Sequence, residues 1–98
     1  MTALQDKAAV TDRLRRALIA FQAAQALLLG AHRKKALASP EESEQFWARS
    51  GGRIEAQQRA AAMEVVAAFK AFSAAGLVAD TRDRHLVNQA ERYLAEGG

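Results

Sequence analysis

Residues 10–28 read VTDRLRRALIAFQAAQALL, and their spacing decides the fold. At 100° per residue, Val10, Leu14, Ala17, Leu18, Phe21, Ala24, Gln25 and Leu28 fall on one side of a helix. No proline interrupts the run, and alanine and leucine, strong helix formers, dominate it. The same period continues outward in both directions, predicting one long helix from about Ala3 to Lys35. Gly30 lies inside it as a position that ends or loosens the helix.

A second stretch carries a matching stripe. Ile54, Gln58, Ala61, Ala62, Val65, Ala68, Phe69 and Phe72 share one face of a helix expected from about Arg53 to Ala75. Set antiparallel so that paired position numbers sum to about 83, the two stripes interlock. Leu18 meets Val65, Phe21 meets Ala62 and Leu14 meets Phe69, and the large Phe21 opposite the small Ala62 shows how such a layer can close-pack. Gln25 then lies opposite Gln58, which reads as a hydrogen-bonded polar layer fixing register, or as a pair of ligand-facing amides.

The breakers place the other elements. Ser39-Pro40-Glu41-Glu42 combines an N-cap serine, a proline at the first helical position and a glutamate at the third. It starts a short helix 2, about Pro40 to Arg49, with Gly51-Gly52 as its expected stop. Gly76 is the expected left-handed cap of helix 3, with Leu77 as the apolar contact after it. Asp80 caps helix 4, about Thr81 to Ala95. The fold class is all-α: a small helical bundle built on a long antiparallel helix 1–helix 3 hairpin, with a short helix 2 and a C-terminal helix 4.

Residues 1–98 form one helical domain on this reading, and the bulk composition agrees. Half of the 98 residues are apolar, 24 are alanine, and the formal charge is only +3, so disorder is excluded. The absence of cysteine excludes a disulfide scaffold, a zinc–thiolate site and a cysteine nucleophile. Six valines and isoleucines beyond position 11 are too few and too scattered for a sheet. The longest uncharged stretch, Ala17 to Ala31, has 15 residues and contains two glutamines. That is short of the roughly 18–20 a membrane helix needs, and it lacks the cleavage site of a signal peptide. The expected location is cytoplasmic.

No residue pattern supports catalysis, and the chain is expected not to be an enzyme, to need no cofactor and to take no small-molecule substrate. His32 and His85 are the only histidines, and no His–Glu spacing matches a metal-binding helix. His32 reads as a dipole partner or a packed ring near the end of helix 1. Ser39, Ser43, Ser50 and Ser73 have cap, loop or helix-surface positions. Ser50-Gly51-Gly52-Arg53 lacks the Gly-Lys-Ser pattern of a phosphate loop.

The backs of the long helices say more. On helix 1 the side away from the core stripe is wet at Asp12, Arg15 and Arg16, then dry at Ile19, Ala23, Ala26, Leu27 and Gly30, then wet again at Arg33 and Lys34. A lone surface helix carries charge in such a place. The dry patch is expected to be buried, either by another subunit or by helix 4 through Leu86, Val87, Ala90, Tyr93 and Leu94. Phe46 and Trp47, the one compact aromatic pair, read as a plug closing the hairpin end or as a partner-binding hot spot. The function expected is association with protein, itself or another chain, with Ile19, Ala23, Ala26, Leu27, Gly30, Phe46 and Trp47 as the binding residues.

The rival expectation is a nucleic-acid-associated accessory protein. Seven basic and two acidic groups fall in residues 1–36, and Arg13, Arg15, Arg16 and Arg33, Lys34, Lys35 form two basic clusters on helix 1. A pI near 9.8 permits phosphate contacts. No register of residues 68–88 makes a helix-turn-helix, because each one buries a charged residue of the second helix.

Overall fold

A computed structural model describes residues 3–37 and 39–97, with side chains from Asp6 onward except those of Lys35 and Ala38. Every regular element is helical: α1 (Ala3–Leu37), α2 (Pro40–Phe46), a π-helical turn (Trp47–Gly51), α3 (Gly52–Ala74) and α4 (Thr81–Ala95). No strand occurs among the described residues. The long hairpin of α1 and α3 is the frame of the molecule, which measures 57 × 23 × 19 Å. Gly30 neither ends nor breaks α1, which runs on to Leu37.

The core is the pair of stripes set out by the periodicity. Leu14, Ala17, Leu18, Phe21 and Ala24 of α1 are buried, as are Ile54, Gln58, Ala62, Val65, Ala68 and Phe72 of α3. Val87 and Ala90 of α4 join them, and Phe21, Val65 and Val87 are the largest side chains fully closed off from solvent. Burying such side chains supplies about 1.5–3 kcal/mol each.

Caps fix the ends of the elements. The Ser39 hydroxyl accepts the Glu42 N–H at 3.3 Å, with Pro40 at the first helical position. Asp80 Oδ1 accepts the Asp83 N–H at 2.8 Å. α3 closes in a Schellman turn: the Leu77 N–H reaches the Phe72 carbonyl at 3.3 Å and the Gly76 N–H the Ser73 carbonyl at 3.0 Å. Gly76 there has φ +80°, a left-handed torsion that glycine adopts without strain. Leu77 packs against the core beyond it.

The expected stop at Gly51-Gly52 does not occur. Both glycines take right-handed helical torsions, and the chain passes from α2 through the π turn straight into α3. The cause is the Trp47 ring. A Cβ on Gly51 would collide with Trp47 Cε3, whereas one on Gly52 would meet nothing within 4 Å. The indole lies across the Gly51 backbone, and this packing offsets the helical cost of glycine, about 1 kcal/mol. A π turn inserts one extra residue into the helix and so shifts the direction of the side chains around it.

Helix 4 does not cover the back of α1. It packs chiefly on α3, with far less contact to α1. At 15 residues it is about 22 Å long and spans less than half of α1.

Candidate association face

The site builds up from one side of the α1–α3 pair. Along α1, Asp12, Arg16, Ala20, Ala23, Leu27, Gly30 and Lys34 recur every three or four residues, so they form one stripe. Ile19, at 60% exposure, flanks it, and Leu27 within it is 46% exposed. Ala23 and Ala26 are exposed as well. Ile19 and Leu27 are thus large aliphatic side chains exposed along this side of α1, as Leu29, Met63 and Val78 are elsewhere on the surface.

Two hollows mark the stripe where α1 meets α3. One is an open groove of about 430 Å³. Its α1 wall is Ala26, Leu27, Gly30, Ala31 and Lys34, and Phe46, Ser50, Arg53, Ile54 and Gln57 close the other side. The other, of about 420 Å³, is framed by Ala9, Asp12, Arg13, Arg16, Ala20 and Glu64. Neither hollow takes a residue from α4. Helix 4 sits against the other flank. Its Arg84 guanidinium stands 4.8 Å from the Phe69 ring centroid, and Phe69 lies about 140° around α3 from Glu64.

Charge differs between the two ends. At the second hollow, Arg13 Nε donates to Glu64 Oε1 at 2.7 Å and Arg16 Nη2 approaches Asp12 Oδ2 at 2.9 Å. The Arg13 hydrogen bond holds the Glu64 carboxyl below its ordinary pKa and raises that of Arg13 in return. At the groove end, neither Lys34 nor Arg53 has an ion-pair partner among the described residues. Lys34 Nζ lies 5.9 Å from the Phe46 ring centroid, a cation–π contact that leaves its charge unneutralised.

The residues singled out from the sequence divide accordingly. Ala26, Leu27, Gly30 and Phe46 converge on the groove, and Ile19 and Ala23 lie along the same side of α1. Trp47 is not among the residues that line the groove. Half-buried, its ring lies 5.3 Å from that of His32 at a tilt of 41° and meets Phe46 edge-on at 6.0 Å. His32 is thus a packing partner of Trp47, together with Phe46 and the Gly51 backbone.

The described basic residues of the two clusters do not form one continuous surface. Arg13 and Arg16 are engaged with carboxylates. The two clusters stand about 27 Å apart along α1 at 1.5 Å per residue. Arg15, Arg33 and Lys34 are exposed, and the side chain of Lys35 lies outside the described set.

Gln25 and Gln58 do not form the expected bonded layer. Gln58 is buried, yet its Oε1 has no hydrogen-bond partner among the described residues, and Gln25 is only half-buried.

The periodicity of α1 alone missed the α3 contribution to this face. Arg53, Gln57, Ala60 and Glu64 lie at spacings of four, three and four, a stripe inside the helix already expected from Arg53 but marked by no run of apolar residues. Among the described residues no group of three metal-binding side chains occurs, and no helix is long and apolar enough to cross a membrane. Comparison with protein-family models, curated proteins and solved structures finds no match.

Proposed function

We propose that this chain acts by associating with protein through the α1 face centred on Ala23, its own copies being the first partner to test. The observation that carries this reading is the exposure of Ile19 and Leu27 beside an apolar groove that α4 leaves open. Burying that surface returns apolar area from water at about 25 cal/mol per Å². Small residues at Ala20, Ala23, Ala26 and Gly30 let a second helix come close. The two ion pairs at the far end of the stripe turn a bare basic surface into one with both signs of charge, which suits a protein partner better than a phosphate backbone.

The test is the solution mass of the purified chain by light scattering, alongside Ala23→Glu. Assembly should raise the mass above 10.6 kDa. Ala23→Glu should return it to that value with helicity unchanged, because Ala23 is exposed within its own chain. A wild-type chain that stays monomeric, or an Ala23→Glu chain that stays assembled, refutes the reading.

A further inference from the structure

We infer that the occupant of the face is a second copy of the chain, packed antiparallel across a two-fold axis at the level of Ala23. This rests on the association reading above and specifies its geometry.

The charges place the axis. Lys34 and Arg53 stand at one end of the face without ion-pair partners among the described residues, and Asp12 and Glu64 stand at the other. Asp12 Oδ2 and Glu64 Oε1 make the close contacts to their arginines, and both carboxylates remain about half exposed, open to a second cation. A two-fold axis lying in the interface and perpendicular to the helices stacks α1 on its copy and α3 on its copy, ends exchanged. It sets Lys34 over Asp12 of the other copy when it crosses α1 midway between them, which is Ala23. It sets Arg53 over Glu64 of the other copy when it crosses α3 midway between those, beside Gln58 and Arg59. Within the hairpin, Ala23 lies level with about position 60 of α3, by the register that aligns the core stripes. Two independent charge pairs therefore give one axis to within about two residues. An axis along the helices instead stacks α1 on α3 of the other copy and brings Lys34 toward Arg53 of that copy, where like charges repel.

The area is sufficient. From Asp12 to Lys34 the stripe runs about 33 Å at 1.5 Å per residue, and two helices side by side are about 20 Å wide. That is roughly 660 Å² a side and about 1,300 Å² in all, within the range of stable interfaces. At the axis Ala23 faces its own copy, and a methyl group there allows close contact.

The chain has no cysteine, so introduced thiols report the pairing without interference. Each variant is oxidised, or bridged with a short bis-maleimide, and read on a denaturing gel. Ala23→Cys should give a covalent dimer by itself. Asp12→Cys and Lys34→Cys should each stay uncrosslinked alone and join each other when mixed. Charge reversal provides a second readout that does not depend on cross-linking. Asp12→Lys and Lys34→Glu should each weaken self-association, and the mixture of the two should associate more tightly than either. Efficient self-crosslinking of Asp12→Cys, or no recovery in the charge-reversed mixture, overturns the antiparallel pairing while association itself stands. A wild-type chain that is monomeric across a concentration series overturns both.

Discussion

Replacing Gly51 by alanine separates a glycine that breaks a helix from one that makes room for a ring. Its torsions, φ −57° and ψ −47°, are those of an ordinary helical residue. Helix propensity alone therefore predicts that Gly51→Ala stabilises the protein by about 1 kcal/mol. The added methyl, however, falls on the Trp47 ring, and the indole has little room to retreat because it is packed on His32 and Phe46. Overpacking costs about 1–3 kcal/mol. Full expulsion of a half-buried indole costs about half of the 3–5 kcal/mol of a buried tryptophan truncation. With the propensity gain of about 1 kcal/mol set against that ceiling, the net expectation is a loss of about 0.5–1.5 kcal/mol. Gly52→Ala is the control: its torsions are also helical and a Cβ there is unopposed, so it should gain about 0.5–1 kcal/mol. The two neighbouring substitutions thus differ in sign. For a domain of this size, 1 kcal/mol moves the midpoint of thermal unfolding by roughly 4–8 °C. Thermal and urea unfolding followed by circular dichroism resolves this, and the emission of the single tryptophan should shift to the red in Gly51→Ala alone. In a Trp47→Ala background, Gly51→Ala should become stabilising. Equal stabilisation by both alanines would show that no ring lies on Gly51, and equal destabilisation would show that the pair is a chain break.

Gln58→Met removes a buried carbonyl oxygen that has no partner among the described residues and keeps the volume. It should raise stability by about 1 kcal/mol in urea unfolding, and a loss would mean that the amide is bonded in solution. Gly76→Ala should cost about 1–2 kcal/mol, because φ +80° is strained for any residue with a side chain; an unchanged midpoint would refute the Schellman geometry. The Glu64 carboxyl should titrate below the ordinary glutamate value by NMR and return to it in Arg13→Gln. Since the folded value is the lower one, the stabilisation is present above the ordinary pKa and is lost as pH falls through the lowered value.

The sequence by itself determined the helices, their caps and the face each turns inward. These are local facts: a 3.6-residue stripe, a serine before a proline, a glycine where the torsion must be left-handed. Leu14, Phe21, Val65 and Phe72 were legible as core because periodicity and burial are the same information in an amphipathic helix. Ile19, Ala23 and Leu27 were legible as an anomaly for the same reason. Only the tertiary structure decided which element would leave them uncovered. Helix 4 was free by its pattern to lie on either side of the hairpin, and it chose the flank where Val87 and Ala90 close over the core and Arg84 meets Phe69. Gly51-Gly52 was ambiguous for a related reason. A glycine pair permits a break and equally permits a close approach, and the choice rested on where Trp47 packs. The burial of Gln58 without a partner, and the gathering of Lys34 and Arg53 on one end of a face with Asp12 and Glu64 on the other, are likewise products of two helices meeting. Local pattern fixes how each helix is built, and contacts between residues far apart in the chain fix which surfaces are left over.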